Sequence, residues 1–516
     1  MRALQCIFVV RGGRRALSVA RPAVGHGERE EIYADSAEKF KTVLSRIRSA
    51  PRGIVAVDTE FVGFPQYRPR LALVQLATED MIAAVDPLSV PPEAIKELVR
   101  LLCLPDPSEL TFERDTSTSD AAAHDGLELI LHANSMDMMV FYDALDVEGG
   151  VPSASLAAPF GARMTSRIFD TQVAAAFGGY GGMVGLGPLI ESVFAMTLDK
   201  SEQASNWLRR PLSESQISYA LNDVRYLIEL RDRLVAQLGE QKMEWLRGEL
   251  EPLHELDCHA PPDPLHAWRN VRRWQRQEPR QQAVLRELTA WRERAGRAGN
   301  RAPLLLVNDN TLGDLSKAMP TTAEDLERCV ADVNLKQFTA RNHGDAILAA
   351  VRRGLEVRDE DLSATLAWPP RRGDGAGDSA GDGAFVPNSF MNERMIPMMG
   401  HLLTEQQSAV FHLTMCHIHS VAAKHGIAGE LLARRDEMQR FAQTVVERAS
   451  AAQEARDAEE KEDAAVIVSP PLPDYPLPIM QSWRYDVAGK GLEAVLEGGA
   501  ALQLNGATFE IERRSS

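Results

Sequence analysis

The residues best suited to chemistry begin with two acids in one short apolar stretch. Asp58 and Glu60 stand two apart in GIVAVDTEFVGF (53–64), whose valines and isoleucine predict a buried strand. Side chains two apart on a strand point to the same face. Neighbouring carboxylates on an apolar strand repel each other and lose hydration. A hard divalent cation offsets both costs, because such cations prefer oxygen ligands. The pair therefore indicates a metal site.

Two further acids and a tyrosine extend this set. Asp137 lies at the start of a predicted helix, directly after HANSM (132–136), and Asp223 ends YALND (219–223). Tyr219 is four residues before Asp223, so phenol and carboxylate share one helix face. Such a set suits phosphoryl transfer with two metal ions, one activating a water and the other stabilising the leaving oxygen. Taken singly, each acid is more simply a helix cap or a solvated surface residue. The interpretation depends on the ordered set.

The motifs DTEF, HANSMD and SYALND occur in the order and spacing of three known exonuclease motifs. They resemble those of the DEDD superfamily, and the tyrosine four residues before the last Asp resembles its DEDDy branch. The surrounding text, including FDTQVAAAF and LDKSEQASNWLRRPLSESQISYALNDVRYL, resembles ribonuclease D. This resemblance implies a ribonuclease H-like fold and 3′→5′ removal of nucleotides from RNA.

The resemblance also implies roles for individual residues. It implies that two Mg²⁺ or Mn²⁺ ions are bound by four acids and that a tyrosine orients the attacking water; these residues are Asp58, Glu60, Asp137, Asp223 and Tyr219. Other family positions are matched by Gln75, His132, Lys200, Trp207 and Arg210, for which structural or substrate-positioning roles are expected rather than catalysis. Asn206 and a polar insertion at 106–126 depart from the family pattern.

The alternation of strand and helix patterns predicts an α/β exonuclease domain over residues 28–238, with a mixed sheet flanked by helices. A helical pattern is expected from 28 to 48. Strands are expected at 53–64, 71–77, 81–87 and 127–134, helices at 91–104 and 136–145, and one long helix at 212–237.

The rest of the chain reads as helical modules joined by linkers. A linker is predicted at 239–278, an all-helical domain at 279–357 and a flexible Gly/Asp-rich linker at 358–384. The first helical domain resembles HRDC domains, which bind nucleic acids. Residues 385–446 resemble part of a second copy, and 447–516 are predicted to be a charged and proline-rich C-terminal segment.

One basic stretch stands out in an acidic chain. The protein has 73 acidic residues against 57 Lys and Arg, a net charge of −16, so it cannot coat nucleic acid as a polycation. Residues 269–301, however, hold ten arginines interleaved with tryptophans. Arginine with aromatic residues suits phosphate contact and base stacking, so Arg272, Arg273 and Arg276 are predicted to bind RNA. The alternative is a set of core tryptophans with a solvated arginine face, and Trp291 fits that alternative better.

The first 27 residues indicate targeting. They contain five arginines and no acid, which is typical of a mitochondrial transit peptide and predicts location in the mitochondrial matrix. An unstructured basic extension is the alternative. Five widely spaced cysteines favour a reducing compartment. No apolar run of about 18 residues is present, so a membrane span is not expected.

Two hypotheses from different classes follow. The first is a 3′→5′ exoribonuclease that trims single-stranded RNA 3′ ends, which the presence of all five catalytic-type residues favours. The second is a catalytically idle RNA-binding or scaffold subunit of a mitochondrial RNA-processing or ribosome-assembly complex, which the acidic balance and the insertions leave open. The sequence specifies neither the RNA nor the oligomeric state.

Overall fold

A computed structural model describes the chain over residues 29–111, 126–145, 163–259, 263–271, 274–329, 333–366, 403–459, 479, 482–496, 500–505 and 508–513. The predicted transit peptide at 1–27, Arg272 and Arg273, and residues 367–384 of the predicted flexible linker lie outside these ranges.

A six-stranded mixed sheet forms the centre of the N-terminal domain. Its strands are β1 (Glu30–Ala34), β2 (Ile54–Val62), β3 (Arg70–Ala77), β4 (Met81–Val85), β5 (Glu128–Leu131) and β6 (Arg167–Asp170). They are ordered β1-β4-β3-β2-β5-β6. Strand β3 runs antiparallel to β2 and β4, whereas β1 pairs with β4, and β5 with β2 and β6, in parallel. The predicted α/β fold is confirmed.

Seven helices accompany this sheet in the described part of the domain. They are α1 (Ala37–Arg48), α2 (Pro92–Cys103), α3 (Ser135–Ala144), α4 (Thr171–Phe177), α5 (Leu186–Phe194), α6 (Glu214–Arg225) and α7 (Leu227–Leu250). Helix α6 packs across β2, β3 and β4. The pairing of β2 with both β3 and β5 puts the predicted acid-bearing strand in the middle of the sheet.

Three predicted boundaries were wrong. Residues 28–48 are not one helix, because 30–34 form the edge strand β1, where Ile32 and Ala34 alternate inward. The predicted helix at 212–237 is two helices that meet at Tyr226. The helix is interrupted at Gly239, whose φ is 70°, close to the predicted end at 237. The predicted linker from 239 nevertheless begins too early, since a second helical piece of α7 runs to Leu250 and buries Leu246 in the nuclease core.

The first helical domain has its own core. It contains α8 (Pro279–Ala298), α9 (Asp309–Ala318), α10 (Ala323–Cys329), α11 (Val333–Glu356) and α12 (Leu362–Leu366). Trp291 is 9% exposed and belongs, as predicted, to a buried core, which also contains Val284 and Leu288. The flexible linker predicted from 358 starts too early, because α12 packs against α8 and the carbonyl of Leu366 accepts a hydrogen bond from Arg269.

The C-terminal region is folded beyond the predicted helical segment. It contains α13 (Glu405–His425), α14 (Gly429–Leu432), α15 (Arg435–Glu459), α16 (Ser482–Arg484), a π-helical turn (Tyr485–Gly489), α17 (Lys490–Leu496), and a hairpin of β7 (Ala500–Asn505) and β8 (Thr508–Arg513). The segment 447–516, predicted only as charged and proline-rich, thus contains the end of α15 and all the elements that follow it. Phe411 and Ile418 join the same core as the nuclease domain. Among the described residues, no helix combines the length and apolar character needed to cross a membrane.

Candidate active site

The two acids of the first motif lie where β2 is paired on one side only. Asp58 stands opposite Gln75 and Glu60 opposite Leu73 on β3, with a bulge between Glu60 and the next residue. On its other side, β2 pairs with β5 only over residues 54–56. The edge of β2 at Asp58 and Glu60 is thus free of strand pairing, and it leaves room for the helix that follows β5.

Helix α3 brings Asp137 to this edge. The Thr59 hydroxyl donates a hydrogen bond of 2.5 Å to Asp137 Oδ1, and both side chains are buried. Strand alternation turns Thr59 away from the face of Asp58 and Glu60, so sequence reasoning gave it no role. The structure shows that Thr59 fixes the third acid against the strand that carries the first two.

A buried carboxylate that the sequence analysis did not single out holds the turn before α3. Asp170 accepts backbone N–H groups from Ala133 and Asn134 in that turn, at 3.2 and 3.0 Å, and from Gln172 and Val173 in the first turn of α4, at 2.7 and 3.3 Å. Ala133 has a φ of 61°, a left-handed conformation that costs a non-glycine residue about 1–2 kcal/mol. The signal available in the sequence was an Asp at a helix N-cap position.

Helix α6 supplies the other two residues of the set. It starts with a capping box between Ser213 and Gln216, which fixes the register of the helix. Tyr219 and Asp223 follow on one face, and the Trp207 ring lies 6.0 Å from the Tyr219 ring. Because α6 packs over β2, this face meets the strand that carries Asp58 and Glu60.

The four carboxylates interact electrostatically. Burial, then the charges of Asp137, Asp223 and Glu60, raise the pKa of Asp58 well above its ordinary value. The pKa of Glu60 rises to about 8, first through burial and then through Asp223 and Asp137. Burial raises the pKa of Asp137 to about 6 and that of Asp223 to about 7. Burial, then the charges of Asp223, Glu60 and Asp58, also raise the pKa of Tyr219, so its phenol stays protonated.

This donor set fits divalent cations. Buried carboxylates that raise one another's pKa gain stability when a cation compensates their charge, and oxygen donors suit hard cations such as Mg²⁺ or Mn²⁺. Among the described residues, no three His, Cys, Asp or Glu side chains already form a compact metal-binding group. Mg²⁺ sites of this kind take one or two carboxylates and complete their shell with water and substrate phosphate, so the two observations are compatible.

Two of the predicted substrate-binding residues are structural. All five N–H donors of Arg210 bond to protein oxygens: Asp86 takes two, and the carbonyls of Ala72, Trp207 and Arg209 take one each. Trp207 is 3% exposed and packs beside Tyr219. Of the structural and substrate-positioning roles expected for these two residues, their contacts favour the structural one, because the side chains are committed to the fold.

The other two predicted positions differ from each other. The His132 ring bonds to the Thr171 hydroxyl at 3.0 Å and the Val184 carbonyl at 3.1 Å, so it connects the end of β5 to the start of α4 and to the segment before α5. This is the structural role that the sequence analysis allowed. Lys200 is exposed, and its side chain lies beside Gly187 at the start of α5, which leaves it accessible to substrate.

Several arginines of the basic stretch at 269–301 form hydrogen bonds within the protein. Arg269 bonds to Leu366, Arg280 to carbonyls at the end of α11, and Arg292 is buried and bonds to Asp309. Arg276 is exposed, as is Arg294. The stretch is therefore not a uniformly solvated basic face, and its predicted RNA contact rests on a few residues.

Comparisons with known proteins match both the nuclease domain and the first helical domain. A family model described as 3′-5′ exonuclease matches residues 32–239, and the HRDC domain model matches 281–351. Ribonuclease D of Desulfotalea psychrophila is 30% identical over 336 residues, covering 65% of this chain and 78% of the relative. Ribonuclease D of Bartonella henselae is 26% identical over 467 residues, 90% of each chain. The crystal structure of Escherichia coli RNase D matches 90% of this chain and 98% of its own with a TM-score of 0.58 at 23% identity, which supports the fold.

The sheet, the four acids and the helix-borne tyrosine define a 3′→5′ exonuclease of the DEDDy type. An exonuclease domain followed by an HRDC domain narrows this class further. The chain belongs to the ribonuclease D family, whose exonuclease fold depends on divalent metal, and it is an RNase D-like 3′→5′ exoribonuclease that acts in RNA processing. The hypothesis of a catalytically idle scaffold is not favoured.

Proposed function

We propose that this exoribonuclease hydrolyses the terminal phosphodiester of single-stranded RNA with Asp58, Glu60, Asp137 and Asp223 holding two divalent cations, Mg²⁺ or Mn²⁺. The observation that carries this proposal is the convergence of acids from β2, α3 and α6 whose pKa values are all raised. When bound, the cations supply Lewis-acid chemistry that activates water and stabilises the leaving oxygen.

The side chains around the cations have separate tasks. Tyr219, kept protonated, hydrogen-bonds and orients the attacking water. Thr59 and Asp170 keep Asp137 against β2. Hydrolysis adds water across one P–O bond: the phosphorus of the terminal nucleotide receives the water oxygen, and the 3′-oxygen of the shortened RNA takes up a proton.

The experiment compares Asp58→Ala and Asp223→Ala with Glu214→Ala, an exposed acid at the start of α6. Release of mononucleotides from end-labelled RNA in Mn²⁺ is the readout. Both site variants should lose more than about 100-fold in turnover, because substituting residues that only hydrogen-bond to metal ligands already reaches that loss. RNA binding should persist. The Glu214 variant should behave as wild type. Full activity in either site variant would refute the proposed roles.

RNA capture away from the cations is assigned to exposed basic side chains. Lys200 and Arg276 are exposed, and we propose that Arg272 and Arg273, predicted from the sequence, contribute to RNA binding as well. Replacing the three arginines with alanine should weaken binding of long RNA and lower the salt slope by about 0.7 per lost phosphate contact. An unchanged slope would assign these arginines to a solvated face.

We also propose that the enzyme is located in the mitochondrial matrix and associates there with an RNA-processing or ribosomal complex. The arginine-rich, acid-free first 27 residues support import. Mass spectrometry of the protein from cells should find an N-terminus near Glu28. A bulk population beginning at Met1 would contradict import by this route.

A further inference from the structure

The loop between β2 and β3 is docked on the first helical domain. The N–H of Ala302 donates to the Pro65 carbonyl at 2.9 Å, and the N–H of Arg68 donates to Asn300 Oδ1 at 3.0 Å. Arg297 Nε donates to the Tyr67 hydroxyl at 2.7 Å. These bonds fix the loop that directly follows the acids of β2.

A glycine lies at the contact between the loop and the helical domain. A Cβ on Gly296 would lie 2.9 Å from the Arg301 carbonyl oxygen and 3.2 Å from the Tyr67 ring. The first contact is with the backbone of the turn that follows α8 in the same domain, and the second is with the loop. The end of α8 therefore lies directly against Tyr67 of the loop.

Two apolar side chains remain exposed at this contact. Phe64 is 69% exposed and Leu304 is 55% exposed, the two highest values among the large hydrophobic residues of the described chain. They flank the hydrogen bond between Pro65 and Ala302. Burying apolar area stabilises a complex by about 25 cal/mol per Å². The Phe64 ring is held outward on a fixed loop, so a ligand that covers it gains this stabilisation.

Positive charge lies beside the exposed ring. Arg68 and Arg70 are both exposed, the first in the loop and the second at the start of β3. The guanidinium of Arg68 is close enough to Asp143 to lower the pKa of that acid against the larger effect of burial. In a chain of net charge −16, two exposed arginines next to an exposed aromatic ring form a local site for a polyanion with flat rings.

The exposed ring of Phe64 lies a short distance along the chain from the acids of β2. Phe64 is four residues beyond Glu60, so their Cα atoms are at most about 14 Å apart along the chain. A strand of RNA whose 3′ end lies at the carboxylates therefore reaches Phe64 within a few nucleotides.

We infer that Phe64, Arg68, Arg70 and Leu304, here called the junction surface, bind single-stranded RNA a few nucleotides upstream of the 3′ terminus. Phe64 stacks on a base, the arginines contact phosphates, and Leu304 extends the exposed apolar surface that Phe64 provides. This inference rests on the proposed function, because it takes the end of the strand to be at the acids. RNA is favoured over a protein partner because Phe64 is only four residues from Glu60 and because Arg68 and Arg70 are exposed cations.

The test distinguishes an effect on the binding of longer RNA from an effect on the hydrolysis step. Phe64→Ala and the double variant Arg68→Ala/Arg70→Ala are assayed in the full-length protein on a 12-nucleotide RNA and on a dinucleotide. Phe64→Ala should raise KM for the long RNA about fivefold to 100-fold, the effect of one base–aromatic stack, with kcat unchanged. The arginine variant should lower the salt slope of binding by about 1.4, two contacts at 0.7 each. Both should cleave the dinucleotide as wild type does.

Matched controls are exposed residues elsewhere. Leu413→Ala removes an apolar side chain on α13 that is 43% exposed, and Lys41→Ala removes an exposed cation on α1. Neither should change KM, whereas Phe64→Trp should retain tight binding. Wild-type KM and salt slope in both junction variants would overturn the inference, as would equal losses on both substrates. No dinucleotide or RNA cleavage by the wild-type protein would instead refute the proposed function.

Discussion

The pKa values of two aspartates in this enzyme, Asp86 and Asp223, shift in opposite directions. Burial raises the pKa of Asp86, but hydrogen bonds from Arg210, Tyr33 and Ser89 outweigh it and hold the pKa at about 2. Asp223 has no such compensation, and burial raises its pKa to about 7. Asp86 is thus a permanent anion that anchors Arg210, whereas the acids of the site remain short of positive charge. This contrast separates the structural carboxylate from those proposed to bind cations.

The raised pKa values predict how the metal-free protein responds to pH. Unfolded carboxyls titrate near pH 4, whereas Asp137, Asp223 and Glu60 in the folded protein titrate at about 6, 7 and 8. Between these values the folded state binds more protons, so stability is greatest at low pH and falls as pH rises from about 4 to 8. The Tm in EDTA should fall by several degrees between pH 5 and pH 8.5, since 1 kcal/mol corresponds to about 2–4 °C. Adding Mg²⁺ at pH 8.5 should restore it.

The control for this pH effect is Asp58→Asn/Asp223→Asn. Replacing two of the four interacting acids with amides should flatten the pH dependence and remove most of the Mg²⁺ response. Identical Tm profiles for wild type and double variant, with and without Mg²⁺, would show that other groups set the pH dependence.

At the scale of elements, the site is an assembly of one strand edge and two helix faces. Strand β5 ends early enough for α3 to begin beside Asp58. The turn that makes this possible contains Ala133 in a left-handed conformation, and Asp170 accepts the two N–H groups of that turn. Asp170 is completely buried, so we expect it to act through the backbone rather than on substrate.

Asp170→Asn should therefore displace Asp137 and weaken cation binding about 10- to 100-fold, the range for residues that position metal ligands. The amide nitrogen of asparagine cannot accept the hydrogen bond that Asp170 Oδ2 accepts from the Asn134 N–H. Mn²⁺ binding measured by calorimetry, without substrate, is the readout, together with the Mn²⁺ dependence of kcat.

Asn308→Ala is the matched control, because Asn308 caps α9 in the first helical domain by accepting from the Thr311 N–H. It should lower stability by about 1 kcal/mol and leave Mn²⁺ affinity unchanged. Wild-type Mn²⁺ affinity in the Asp170 variant would restrict Asp170 to a role in stability alone.

Across the whole molecule, the C-terminal region braces the nuclease domain. Arg484 forms a two-pronged pair with Glu249 on α7, at 2.6 and 2.7 Å, and also bonds to the Leu431 carbonyl. Trp483 stacks on Trp245, with ring centres 4.9 Å apart. The N–H of Ala428 bonds to the Ala176 carbonyl of α4 at 2.8 Å. The region that resembles a second HRDC copy is therefore joined to the catalytic domain by specific contacts.

Removing the central pair should destabilise both regions together. Arg484→Ala removes both Arg484 hydrogen bonds to Glu249, which keeps only the Trp483 Nε1–H donor, and removes the bond to the Leu431 carbonyl. It should lower the free energy of unfolding by about 1–3 kcal/mol, measured by urea denaturation. The exposed Arg352 provides the control, and Arg352→Ala should change stability by less than about 0.5 kcal/mol. A wild-type urea midpoint for Arg484→Ala would show that this pair is dispensable.

The sequence alone determined the chemistry, because the decisive spacings are local. Two residues on a strand and four on a helix fix which side chains share a face, so Asp58 with Glu60, and Tyr219 with Asp223, could be paired without knowing the fold. Their motif order then led to the family, and the comparisons confirmed it. The core position of Trp291 was predicted from the same helical periodicity.

Only the tertiary structure decided what depends on distant partners. For Arg210 the sequence left a structural and a substrate-positioning role open, and five oxygens of the fold take its donors. Thr59 and Asp170 position the third acid through bonds across 78 and 36 residues of chain. The edge strand β1 exists because β4 pairs with it, and the C-terminal region is ordered against α7. Local spacing carries no information on such contacts, since each requires two remote segments to be in place before it forms.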